Sequence, residues 1–451
     1  MDQTTRQLAE TVSALDLAAL PAVAMHEAKR RVLDSIACAV GAFDDPFCGR
    51  IRDVAGRYGG ASTARIWFTG RPSSVEMAGF ANGTMVRYLD LSDTALSKAA
   101  GHPSDMIPAL VALAESRNAS GAALLAGIVA AYELYVGLCD AVAFQKAAVD
   151  QSTAAALGTA GGAARILGLD PDQTGNALAL ALGANVNLYN VRTGALSDWK
   201  ACAGPNAARQ GVFAALLAAE GITGPTAIFE GTAGFRDLVG PMELALDPAR
   251  APKIVATHLK AYPVCYHGQS AVDAATRLAG FARPEEIASV LVETYEVAQR
   301  AMGSDPSRWA PENRETADHS LPYTVAVTLG SGRLTSADYG RERLADPALR
   351  DFMSRIEVRK SDAFTAAYPG EARSRITVTT QDGRSSTAET IQPKGHAQNP
   401  LSDAELMQKL DSLWPADLPA ARKGVIAGHV WGLDQAPDVA ALVDSLCGLA
   451  D

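Results

Sequence analysis

Between Thr153 and Ile166 the chain reads TAAALGTAGGAARI, a stretch in which only Leu157, Arg165 and Ile166 carry long side chains. Alanine is the strongest helix former and the run holds no proline, so it predicts a helix. Such a helix presents little side-chain bulk, and its stability has to come from neighbours that pack closely against it. A second small-residue stretch follows Lys200, over 201–220. Small residues let backbones approach, and the two segments together call for a tightly packed helical body.

The rest of the first 260 residues agrees with this. Leu8, Val12 and Leu15 recur at helical spacing, as do Val32, Leu33, Ile36 and Val40, the latter closed by Gly41. Leu124, Ile128, Tyr132 and Tyr135 form a third stripe, opened near Asn118 and Ser120. After about residue 265 the period changes. Val290, Val292 and Thr294 alternate, as do Ile356 and Val358. Ile376, Val378 and Thr380 alternate into Asp382-Gly383, a favoured hairpin turn. A helix over 320–330 lies among them. Helical spacing returns with Leu406, Leu410 and Leu413, behind a capping box of Ser402 and Glu405.

The order is therefore helical, then mixed, then helical. The expected fold is mainly α: a large all-helical domain built from both chain ends, 1–265 and 402–451, with a smaller inserted α+β lid domain over 266–401. At 451 residues the chain is long enough for two or three cores. A cleft between two such domains is the expected place for a small-molecule pocket.

Composition narrows the classes of function. Hydrophobic residues at 48% and charged residues at 20% describe a globular chain. A net charge of −10 with no basic stripe argues against a nucleic-acid partner. It also means that an anionic substrate needs a local cluster of Lys, Arg and His. The cysteines, Cys38, Cys48, Cys139, Cys202, Cys265 and Cys447, are far apart without a CxxC pair. That spacing speaks against zinc, an iron–sulfur cluster or a disulfide framework. The polar start MDQTTRQLAETVSALDL lacks the apolar core of a signal peptide, and no uninterrupted apolar stretch without charge or glycine has membrane-spanning length. The expectation is a cytoplasmic, soluble protein without membrane association.

Four polar clusters interrupt apolar surroundings: RYLDLSDT (87–94) with GHPSD (101–105), SDWK (197–200), KAYPVCYHGQ (260–269) and RETADHSLPY (314–323). Singly, each has an ordinary structural use: Asp93 and Thr94 can cap a helix, and His267 and His319 can hydrogen-bond a loop. Together they supply lysines, histidines, an aspartate and a tyrosine. This combination suits proton abstraction beside a carboxylate. The developing carbanion needs positive charge on that carboxylate, which lysine provides as a point charge. Histidine titrates near neutrality and exchanges the proton. No metal or cofactor is required.

At these clusters the sequence resembles the 2-methylcitrate dehydratase (MmgE/PrpD) family. The resembling stretches are NGTMVRYLDLSDT (82–94), GHPSD (101–105), the run from LSDWK through ITGPTAIFEGTAGF (196–235), LKAYPVCYHGQSAVDAA (259–275), RETADHSLPYTVAVTL (314–329), YPGEARSRITV (368–378) and PKGHAQNPLSDAEL (393–406). They are colinear over roughly residues 5–440. The resemblance implies a helical domain with an α+β lid, a homodimer, and a metal-independent lyase of propionate catabolism acting on a small di- or tricarboxylate. It implies a catalytic set of His102, Asp93, Lys200 and Tyr323, and a substrate-binding set of Thr94, Lys260, His267, Gln269, Gln151 and Arg87. In this scheme Lys200 and Lys260 hold carboxylates, His102 exchanges the proton with Asp93 orienting it, and Tyr323 donates a proton or holds a hydroxyl. Two positions depart from the dehydratase pattern. Gln151 stands where the family usually carries a histidine, and Cys265 where that branch usually has an acidic residue. Neither replacement is an obvious proton carrier, so three readings stay open beside dehydration: decarboxylation of a cis-aconitate-type acid, epimerisation of an iminodisuccinate-type acid, and an inactive carboxylate binder.

Overall fold

The computed structural model describes residues 1–60 and 63–448. At its centre lies the Ser152–Leu167 helix, flanked by the Gly121–Ala141 and Trp199–Ala219 helices. Contact here is backbone to backbone. A Cβ on Gly162 would lie 2.5 Å from the main-chain oxygen of Gly127, and one on Gly211 would lie 2.6 Å from that of Ala156. Any larger residue at either place has to push the helices apart, which accounts for the small-residue sequence. The Gly121–Ala141 helix is long and apolar enough to cross a membrane by those measures alone, yet nearly all of it is covered by other parts of the fold.

One continuous apolar core runs through the helices between residues 8 and 261 and takes in Leu401, Leu406, Leu410, Ile426 and Val430 from the far end of the chain. The Asp403–Leu413 helix, opened by the Ser402–Glu405 capping box, packs on Ala22–Gly41. A second core spans Val264 to Val378. Its sheet has the order Ile356–Lys360, Ile287–Thr294, Ser374–Thr380, Ser385–Thr390; the first pair is parallel and the others antiparallel. Val292 sits opposite both Val358 and Ile376. The buried side chains Val290, Val292, Ile376 and Val378 share this core with residues of the Gln269–Leu278 and Leu321–Ser331 helices. The fold is thus mainly α, with a smaller α+β unit inserted near the end of the chain.

Helix-after-helix does not hold over 220–260. This stretch contains only the short Phe235–Val239 helix and a single turn at Lys253–Ala256. Gly221, Gly224, Pro225, Gly240, Pro241, Pro248 and Pro252 recur too often there for a longer helix to propagate.

The chain passes between the units twice, and the two passages are stitched together. Thr94 and His258 exchange main-chain hydrogen bonds of 2.8 and 2.7 Å. Leu259 N–H donates to Gly395 O at 2.9 Å, and a side chain on Gly395 (φ +91°) would collide with the oxygen of Leu259. The Lys409 ammonium, buried under the junction, donates to Asp34, Leu91 O and Lys260 O at 2.6–2.9 Å.

Candidate active site

Asp90 follows the end of the Val75–Tyr88 helix with φ +50°, a left-handed conformation that aspartate tolerates better than most residues. The turn drives its carboxylate into the interior. There it meets Arg87 Nη1 at 2.9 Å, Lys200 Nζ at 3.2 Å, the Lys260 ammonium, and His319 Nδ1 at 3.6 Å. Lys200 also reaches Glu315 at 2.7 Å and Asp318 at 3.0 Å. Arg87, Lys200 and Lys260 thus face Asp90, Glu315 and Asp318, and all six are buried. Burial alone would raise Asp90, but Arg87, Lys260 and Lys200 hold it well below the usual carboxylate range. Burial raises Asp318 to about 6, with Lys200 pulling the other way. The oxygens and nitrogen of Asp90, Asp318 and His319 come within 4.8 Å of one another, a spacing that suits a cation, and the Lys200 ammonium sits among them.

Beside this network lies a cavity of about 340 Å³. The helical unit contributes Arg87, Thr94, His102, Gln151 and Arg192 to its wall; the α+β unit contributes Cys265, His267, Arg300, Arg308 and His319. Its chemistry is cationic and donor-rich. Arg192 is balanced by Asp150 at 3.0 Å. Arg308 is 3% exposed, and among the described residues its Nε and Nη1 have no hydrogen-bond partner, while its Nη2 donates to Gly194 O at 3.4 Å. Arg87 Nε and Gln151 Nε2 are likewise buried without a partner among the described residues.

His102 is oriented by main chain. Its Nδ1 lies 2.8 Å from Asp93 O, an atom that can only accept, so Nδ1 carries the hydrogen and Nε2 keeps its lone pair. Burial, with Arg87 and Lys260 adding to it, holds the ring neutral, well below the ordinary histidine range. The main-chain N–H of His102 donates to Tyr135 Oη at 2.8 Å, and that hydroxyl donates to Gln151 Oε1. The amide oxygen of Gln151 is thereby engaged, leaving its NH2 group as the free donor. On the α+β unit His319 Nδ1 bonds the Asp318 carboxylate, and His267 Nδ1 lies 2.7 Å from Tyr295 Oη. Burial keeps both rings neutral, with His267 lowered to about 3.

The distant polar clusters therefore do converge, but the division of labour differs from the expected one. His102, Thr94, Gln151, His267 and Arg87 line the cavity. Lys200 and Lys260 do not; they are engaged by protein carboxylates beneath the wall. Asp93 accepts from Ser104 N at 2.9 Å and Tyr132 Oη at 2.7 Å, so its carboxylate orders a loop while its main-chain oxygen aligns His102. Tyr323 lies in the core of the α+β unit, stacked on Tyr339, and its hydroxyl donates to Asp338 O. In the DHSLPY stretch it is His319 that faces the cavity. Gln269 spans the chain crossing, accepting from Ala261 N and Tyr262 N and donating to Tyr262 O at 2.7 Å and Val264 O at 3.0 Å. The sequence reading missed Arg192, Arg300 and Arg308. The segments that carry them, NVRTG, VAQRAM and DPSRW, contain no cluster of chemistry-bearing residues to draw attention.

A helical body and an α+β unit together enclose a cavity lined by arginines and histidines. Comparison with known families agrees: residues 6–244 match the MmgE/PrpD N-terminal domain and 262–433 match the MmgE/PrpD C-terminal domain. The chain belongs to the MmgE/PrpD family. It is 30% identical to the 2-methylcitrate dehydratase of Cupriavidus necator over 392 residues, 80% of this chain and 79% of that protein. It is 30% identical to the enzyme of the same name from Salmonella typhimurium over 406 residues, 83% of each. It is 26% identical to the human cis-aconitate decarboxylase over 442 residues, 90% of this chain and 86% of that one.

Proposed function

We propose that this protein is a hydro-lyase that converts a 2-methylcitrate-like tricarboxylate into 2-methyl-cis-aconitate. The observation that carries the reading is His102, a neutral imidazole with Nε2 unprotonated on the wall of a cation-lined cavity. In that protonation state it is a base. A carbon-bound hydrogen beside a carboxylate passes to Nε2. Its electron pair becomes the new C=C bond as the C–O bond on the neighbouring carbon breaks. Arg87, which reaches the cavity wall from the buried network, lowers the energy of the charge that builds on the carboxylate. The departing hydroxide takes a proton from His319. Burial keeps that ring neutral, but a bound tricarboxylate adds negative charge beside it and favours the imidazolium. Proton exchange with solvent then resets both rings.

Decarboxylation is the second reading. It is favoured by the similarity to the human cis-aconitate decarboxylase along 90% of this chain, and it needs only one group to return a proton to carbon. The two separate on incubation with 2-methylcitrate, cis-aconitate and iminodisuccinate in deuterated water. Dehydration yields an absorbing alkene from 2-methylcitrate. Release of CO2 from cis-aconitate replaces that reading with decarboxylation, and deuterium entering unchanged iminodisuccinate replaces it with epimerisation. Binding without turnover of any of the three removes the enzymatic reading.

A further inference from the structure

We infer that Arg308 is the anchor for a second substrate carboxylate, distinct from the one beside the reacting carbon, so that the cavity selects polycarboxylates over monocarboxylates of the same length. The inference rests on the cavity being a carboxylate site, but not on which reaction occurs there.

The argument begins with an unbalanced charge. A buried guanidinium without a counter-ion is costly, and buried cations are almost always paired. The buried Arg87, Lys200 and Lys260 are paired. Arg308 is 3% exposed, and among the described residues no carboxylate lies within ion-pairing distance of it. Asp305, three residues earlier on the same wall, makes its hydrogen bonds within its own loop, accepting from Ser307 N at 2.9 Å and Ser307 Oγ at 2.6 Å, and forms no ion pair with Arg308. Among the described residues, two of the three guanidinium nitrogens of Arg308 thus have no partner, in a side chain that contributes to the cavity wall. A planar fork of N–H donors matches a carboxylate in a two-point contact.

Placement distinguishes this anchor from the chemistry. His102 and Arg87 come from the helical unit, whereas Arg308 belongs to the α+β unit, beside Arg300 and Ser304 on the same wall. Arg308 also touches Gly194 O of the helical unit, and Asn313 Nδ2 donates to Leu196 O at 3.4 Å close by. A ligand held by Arg87 at one end, with its reacting carbon at His102, and by Arg308 at the other spans both units. It needs carboxylates at both ends.

Binding of tricarballylate, a tricarboxylate with no hydroxyl to lose, tests this without relying on turnover. Its dissociation constant and that of butyrate are measured by calorimetry on the wild type, Arg308→Gln and Arg308→Met. The expected loss for tricarballylate is about 10- to 100-fold in both variants, the scale of a charge-assisted two-point contact; butyrate binds weakly to all three proteins. The ligand-free variants melt no lower than the wild type, because the arginine they lose forms no ion pair among the described residues; a purely structural arginine would show the opposite. Tricarballylate affinity within twofold of wild type in a folded variant overturns the inference, as does butyrate binding as tightly as tricarballylate. Arg308-dependent binding with no turnover of 2-methylcitrate leaves the anchor standing and removes the dehydratase reading alone.

Discussion

The imidazole of His102 is held by the main-chain oxygen of Asp93, 2.8 Å from Nδ1, and not by the Asp93 carboxylate, which is engaged by Ser104 and Tyr132. This fixes the tautomer whatever the side chain at position 93. His102→Gln is expected to lower kcat by about 10²- to 10⁴-fold, the usual contribution of a general base. Tricarballylate affinity should change little. Asp93→Asn should cost far less in kcat, since it leaves the carbonyl in place. Steady-state kinetics on both variants checks the pair; full turnover by His102→Gln would remove the base from the scheme.

Asp90 balances three cations, so its loss should hurt more than the loss of any one of them. Asp90→Asn leaves Arg87, Lys200 and Lys260 buried with one counter-charge fewer, a change expected to cost about 3–5 kcal/mol. Lys260→Met alone leaves Asp90 still paired with Arg87 and Lys200 and should cost less. The double variant Asp90→Asn/Lys260→Met should be more stable than the sum of the two losses predicts. Urea unfolding of the three variants measures the coupling; additive losses would mean that the two side chains do not share a network.

Much of this architecture is legible in the sequence, for reasons that can be named. Alternation at Val290, Val292 and Thr294 marks a strand with one buried face, and the Ser402–Glu405 box marks a helix start; both are local rules. The small-residue run at 153–166 is legible because close helix packing excludes large side chains. Chemical clusters are legible as clusters. Their roles are not, because a lysine's partner is set by tertiary contact: nothing local to Lys200 distinguishes a substrate carboxylate from Glu315 and Asp318, both of which lie more than a hundred residues away. Arg308 is the converse case. It sits in a single turn at Pro306–Arg308, with neither periodicity nor a chemical cluster around it.

Asp105 provides a pH test. It is buried, neither carboxyl oxygen has a hydrogen-bond partner among the described residues, and burial raises it to about 7. In the unfolded chain it titrates near 3.9. Between those values the folded state holds a proton that the unfolded state has lost, so the stability tied to this group is full below about pH 3.9 and is lost as pH rises through about 7. Asp105→Asn has no such proton. The difference in melting temperature, variant minus wild type, should therefore grow from pH 5 to pH 8. A difference that stays flat across that range would mean that Asp105 is charged throughout.

Tyr323 separates the geometry from the expectation drawn from sequence most cleanly. As a proton donor in the cavity it would be worth orders of magnitude in kcat. In the fold its ring packs on Tyr339 inside the α+β core and its hydroxyl donates to Asp338 O. Tyr323→Phe keeps the ring and loses one buried hydrogen bond, at a cost of about 1 kcal/mol in stability. Turnover should stay within about threefold of wild type, because no atom that moves in the reaction is touched. A fall of a hundredfold or more in kcat, in a variant whose melting temperature is nearly unchanged, would place the Tyr323 hydroxyl back in the chemistry and require the α+β unit to shift when substrate binds.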